Sequence, residues 1–254
     1  MDMTLKSQFM AAWEKYFSGA ELPFVFYYTD QDDRAKKVPS AGAHQCIIGL
    51  LSIVRKGTSL CFDVDSVGCG GGKKFLGFSD DVMPYFDYFL SCGIPLKVEA
   101  ERYKQSPQLV RDMIKYIPDF KAPAKYIVFK RFDMLEASDN PDAVIFYAQP
   151  DVLSALFTLA NFDRAEPNGV FCPFCAGCAA IVKYPYLEKK SNEPRAVLGM
   201  FDITARPFVP KETLSFGVPM KKFVAMVRNI EESFLINKSW EKVQNRNVRP
   251  QAAQ

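Results

Sequence analysis

The sequence predicts an α+β fold: one domain of two similar α/β halves, read as an internal duplication around mixed sheet. Three observations carry this. Short aromatic and β-branched runs alternate with stretches of helical period. The same order of segments occurs twice along the chain. The 254 residues, 48% of them hydrophobic, suffice for one large core.

The first half opens on a helix over 2–18, with Leu5, Phe9, Trp13 and Phe17 four apart and Gly19 as its stop. Pro23 to Tyr28 reads as a buried strand. A polar loop from Thr29 to Gly42 leads to a helix from Cys46 to Val54. A strand from Ser59 to Val67 runs into the glycine-rich Gly68–Gly72. Ser79-Asp80-Asp81 is expected to cap a helix carrying Phe86, Phe89 and Leu90, with Pro84 allowing a later start. Ser106-Pro107 opens another helix, and Tyr126 to Phe132 is a strand.

The second half repeats the pattern. Ala143 to Tyr147 is a strand, Asp151 to Phe162 a helix, Ala179 to Lys183 a short helix and Ala196 to Thr204 a strand. Pro219 starts a last helix with Phe223, Val224, Val227, Ile230 and Phe234 inward. Val25–Tyr28 resembles Val144–Tyr147, Cys46-Ile47-Ile48 resembles Cys178-Ala179-Ala180, and Cys61–Val64 resembles Met200–Ile203. Duplication explains this order; chance likeness between two aromatic stretches is the alternative. The domain is expected over 1–236, with halves at 20–100 and 140–236. The polar segment 237–254 lacks an apolar period and is expected to fray.

Net charge is +3, which gives a general nucleic-acid partner no electrostatic support. No apolar run nears the roughly 20 residues that span a bilayer. A cytoplasmic protein is expected, and its seven cysteines read as thiols or ligands rather than disulfides.

Chemistry concentrates at Cys172, Cys175 and Cys178, three residues apart, with Pro173 and Gly177 able to turn the chain tightly. Thiolates at this spacing suit a four-iron, four-sulfide cluster, which takes four such ligands. Cys69, between glycines, and Cys46, at a helix start where a thiol pKa is lowered, are the candidates for the fourth. An iron left open would instead receive a substrate. Zinc is the alternative metal, although the usual two-plus-two cysteine spacing is missing. Cys61 and Cys92 read as small buried hydrophobes.

Around this motif, Gly70, Gly71 and Lys73 are candidates to hold an anion through amides and charge. Arg206 is a candidate for a carboxylate or phosphate. His44, the only histidine, is a candidate ligand or proton carrier two residues before Cys46, against a plainly solvated side chain. Asp63 and Asp202 correspond under the repeat and would act as a pair or cap strand ends. The centre is expected where the cysteine loop, Gly68–Gly72 and the start of the Cys46 helix meet. Three functions follow: a cluster protein serving a redox partner or a small anionic ligand; a zinc-stabilised or ligand-binding module; or a thiol enzyme using Cys46 or Cys175.

Three stretches also resemble a known family. Asp142 to Leu156, Ala205-Arg206 through Glu212 to Met220, and the glycine-rich segment around Cys69 with Leu76-Gly77 are similar to the family catalogued as domain of unknown function 169. The resemblance spans roughly residues 5–235, as one domain of ordinary size would. It implies a prokaryotic protein, in a family found in many anaerobes, and supplies no catalytic residues.

Overall fold

The computed structural model describes residues 1–31 and 34–246. Its centre is an eight-stranded sheet in the order β2-β3-β4-β1-β5-β8-β7-β6. The first half supplies β1 (Phe24–Thr29), β2 (Lys36–Lys37), β3 (Leu60–Phe62) and β4 (Tyr126–Arg131); the second supplies β5 (Ala143–Ala148), β6 (Val170–Phe171), β7 (Ala196–Gly199) and β8 (Leu214–Pro219).

Read outward from the centre, each half has the same order and the same directions. β1 and β5 lie antiparallel to β4 and β8, these lie antiparallel to β3 and β7, and the outer pairs β2–β3 and β6–β7 are parallel. β1 and β5 meet antiparallel with Val25 opposite Val144. Those are the residues that the sequence alignment equates, so a pseudo-two-fold axis passes between them, normal to the sheet. The duplication is a property of the fold. The first half reaches β4, beyond residue 100.

Each outer parallel pair is joined by a helical crossover, since parallel neighbours need one. In the first half it is α2 (Ile47–Arg55), after α1 (Met3–Phe17); in the second it is a π-helical turn, Ala179–Lys183, running into a short α-helix. An axis normal to the sheet keeps both crossovers on one face. Ile47, Ile48, Leu51 and Val54 accordingly share a core with Ile181, Val182, Phe24, Phe26, Ile145 and Tyr147. The other face buries Val25, Val144, Phe146, Phe216 and Val218 beneath Phe9, Trp13, Leu156, Phe223 and Trp240.

The remaining helices are α3 (Gly70–Phe75), α4 (Phe86–Phe89), α5 (Pro107–Lys115), α6 (Pro150–Asn161), α7 (Tyr184–Glu188, completing the second crossover), α8 (Met220–Asn229) and α9 (Lys238–Asn245). Each crossover is tied by its basic end to an acid that precedes its own half's first strand: Arg55 to Glu21, and Lys189 to Asp142.

Several elements differ from expectation. The strand from Ser59 stops at Phe62, because Asp63 and Ser66 turn the chain. Asp63 N–H donates to Ser66 Oγ (2.8 Å), and Ser66 N–H returns to Asp63 Oδ1 (3.0 Å). The strand from Ala196 stops at Gly199, because Met200 takes a left-handed conformation, φ +69°. Ser79-Asp80-Asp81 do not cap α4, whose N-cap is Tyr85 at φ +60°. The glycine run begins a helix instead of an open loop. The segment from Asn237 does not fray: α9 docks, with Trp240 buried and donating from Nε1 to the Tyr16 carbonyl (3.1 Å). Residues 247–254 of the expected tail lie outside the described residues. No helix among the described residues is long and apolar enough to cross a membrane.

Candidate functional site

Cys46 is the N-cap of α2, Cys178 the N-cap of the π turn, and Cys69 the N-cap of α3. The first two are equivalent under the pseudo-two-fold. Because the axis keeps both crossovers on one face, their starting cysteines approach each other. α3 closes the same region. Its leading Gly68 abuts the backbone of Ala43 and Gln45 just before α2, so a Cβ there would meet the Ala43 carbonyl at 2.5 Å. The glycine segment and the start of the Cys46 helix are therefore in contact.

Cys178 is the innermost thiol. Burial raises its pKa far above the ordinary thiol value, and the charges of Cys69, Asp202, Cys46 and Cys175 push the same way. Cys175 is pushed up to about 12, by burial first and then by Cys172 and Asp202. Cys172 is exposed at the outer end of the loop, and the partial desolvation it does have raises its pKa. The expected low pKa of Cys46 is overturned. Burial raises it, and the amides of Gly49 and Ile48 only reduce the rise. The helix start is real, but the tertiary structure covers it. Cys69 Sγ accepts from Gly72 N–H at 3.5 Å.

Asp202 anchors the cysteine loop. Its Oδ2 accepts from Gly177 N–H (2.9 Å), and its Oδ1 accepts from Thr204 N–H (3.1 Å) and Thr204 Oγ1 (2.7 Å). Asp63 is engaged in its own turn and with Lys37, so the two aspartates do not pair. The long segment between β3 and β4 has only a short counterpart between β7 and β8. It reaches over the loop, with Lys104 Nζ 4.2 Å from the Phe174 ring centroid.

The other candidates scatter. His44 is exposed. Arg206 donates to the carbonyls of Thr213, Pro210 and Lys211, so it clamps its own loop. Gly70 and Gly71 are exposed in the first turn of α3, and Lys73 is half-buried two residues on. Cys61 is buried as expected, whereas Cys92 is exposed rather than a buried hydrophobe.

Sequence reasoning missed two groups. Lys183, at the end of the π turn, is buried, and burial lowers its pKa. Tyr147 is also buried, and its hydroxyl has no hydrogen-bond partner among the described residues. Its equivalent under the repeat, Tyr28, donates to the Leu76 carbonyl at 2.8 Å. The repeat itself was the signal for Tyr147. Tyr147→Phe should leave stability unchanged or raise it by up to about 1 kcal/mol, while Tyr28→Phe should lose about 1 kcal/mol. Urea unfolding of the two variants checks this, and equal losses would show that Tyr147 is bonded after all.

Among the described residues, no three His, Cys, Asp or Glu side chains are gathered as a metal ion requires. A groove of about 570 Å³ lies elsewhere, lined by Phe157, Phe162, Phe234 and Ile236 and holding no cysteine.

A family model for domain of unknown function 169, described as uncharacterised ArCR, matches residues 15–229. Comparison with curated proteins and with solved structures yields no match.

Proposed function

The chain belongs to the uncharacterised ArCR family, domain of unknown function 169, and from its own residues we propose that it binds an iron–sulfur cluster. Cys69, Cys175 and Cys178 would hold it, with Cys46 or Cys172 as fourth ligand. The observation that supports this is the position of Cys178: this buried thiol caps the π turn within the core that Cys46, the cap of α2, packs against, and Cys175 stands three residues before it. Bound, the cluster would supply one-electron chemistry to a redox partner or an iron to hold a small anionic ligand.

The donor chemistry fits, because all the donors are thiols and metal binding releases their protons. A single zinc ion fits less well. It needs donors at about 2.3 Å from one point, and the described residues offer no such group. A four-iron cluster is larger and spreads its thiolates further apart. A thiol enzyme fits less well too, because burial keeps Cys46 and Cys175 protonated, and the thiolate is the nucleophile.

Anaerobic purification with assay of iron, sulfide and zinc, and a visible spectrum, tests the reading. Brown protein carrying iron and sulfide is expected, with both lost in Cys178→Ser and Cys69→Ser and retained in Cys61→Ser and Cys92→Ser. Serine substitution of Cys46 and of Cys172 then identifies the fourth ligand. Colourless, metal-free protein from anaerobic material would overturn the proposal, and stoichiometric zinc would replace it.

A further inference from the structure

Three lysines are buried among the described residues: Lys130, Lys183 and Lys222. Two have a carboxylate. Lys130 Nζ lies 2.9 Å from Asp139, and Lys222 pairs with Asp163. Lys183, only 2% exposed, has neither an ion pair nor a hydrogen-bond acceptor among the described residues. Its stem is enclosed, while Nζ is not among the fully enclosed unpartnered polar atoms and keeps a contact with solvent. The ammonium is thus reachable from outside and yet has no carboxylate partner among the described residues, and long charged side chains are rarely set so deeply unless paired.

What surrounds it is specific. Its Nζ stands 5.8 Å from the Phe75 ring centroid, on α3. Lys74, the preceding residue on that helix, repels it, and Asp119 attracts it. Lys74 itself donates to the Asp80 carbonyl at 2.6 Å, which leaves its charge unneutralised there. Lys183 also closes a π-helical turn, a conformation that recurs at functional sites because the extra residue re-aims the side chains that follow.

We propose that Lys183 forms an anion subsite beside the cysteine loop, its ammonium taking a small oxyanion of the carboxylate or phosphate type. The ligand supplies the counter-charge that Asp139 and Asp163 supply to the other two lysines. The subsite needs no cluster, so its test is separate from that of the cluster.

Calorimetric titration of the purified protein with sodium phosphate, and separately with sodium acetate, at matched ionic strength tests it. One or both should bind at one site per chain. Lys183→Met should weaken that binding by at least about tenfold, with its thermal midpoint unchanged or raised, because a deeply set charge without a carboxylate partner has been replaced by an apolar side chain of similar length. Lys73→Met should retain the affinity. Should Lys183→Met not fold, selectively labelled lysine in the wild-type protein gives the answer by NMR: the Lys183 signal should shift saturably with the anion. Absence of binding by both anions, wild-type affinity in Lys183→Met, or an unmoved Lys183 signal would each overturn the proposal. Iron and sulfide measured on the same samples keep the two readings apart, since anion binding by metal-free protein supports the subsite alone.

Discussion

Asp139→Ala should destabilise the protein by about 3–5 kcal/mol, as breaking one side of a buried ion pair does. Asp139 is 1% exposed, in the link between β4 and β5. It accepts from Tyr27 Oη at 2.6 Å, from Lys130 Nζ at 2.9 Å and from Glu136 N–H at 2.8 Å. One carboxylate thereby ties β1, β4 and the connection between the halves. Its loss leaves the Lys130 ammonium and the Tyr27 hydroxyl buried, and Glu136, 3.9 Å from Lys130 and largely exposed, replaces little.

The pH dependence has a definite sign. Burial alone would raise the Asp139 pKa, but Tyr27, the Glu136 amide and Lys130 together hold it below the ordinary value. A carboxylate whose folded pKa is depressed stabilises fully above its unfolded value of about 3.9. That contribution is lost as pH falls through the folded pKa. Urea unfolding at neutral pH should show the full loss in Asp139→Ala. Below about pH 4 the wild type should move toward the variant. A loss under about 1 kcal/mol at neutral pH would mean that the pair is no better than a surface one.

Asp139 and its partners also show which parts of the fold were legible. Tyr27 and Lys130 lie in runs that read as strands, and the long apolar β1, β4 and β5 were found with nearly their true limits. The duplication was legible because paired aromatic and cysteine positions survive in both halves, Tyr28 with Tyr147 and Cys46 with Cys178. β2 and β6 were not, because two residues carry no period, and Lys36-Lys37 is exposed. β8 was not either, because Gly217 and Pro219 break its pattern.

At the candidate site, the cysteines were legible by spacing and their environment was not. The helix-start argument for Cys46 fails because burial, a property of the packed crossovers, outweighs the local amides. Lys183 follows Ala-Ala-Ile-Val and resembles any polar residue ending a turn. Only the close seating of the π turn on the sheet hides it.

That seating depends on Gly199, and Gly199→Ala should cost about 3 kcal/mol, the upper range for overpacking a core. A Cβ at Gly199 would collide with the Ala180 side chain and lie 3.1 Å from Ser215 Oγ. Ala180 is 1% exposed inside the π turn and cannot swing aside, so the turn must lift from β7. Gly217, on the neighbouring strand, allows the same approach; its Cβ would meet Pro185 Cγ at 2.6 Å. Lifting the turn moves Cys178 at one end and Lys183 at the other. Thermal or urea unfolding should therefore show the loss, and a thiol reagent should label Cys178 faster than in the wild type. Gly42→Ala is the control, with open space around its Cβ and no such effect expected. The double variant Gly199→Ala with Ala180→Gly returns the missing volume from the opposite side. It should recover part of the stability and slow the labelling again. If the single variant keeps wild-type stability, or the second change recovers nothing, the contact between turn and strand does not hold the cysteine site in place.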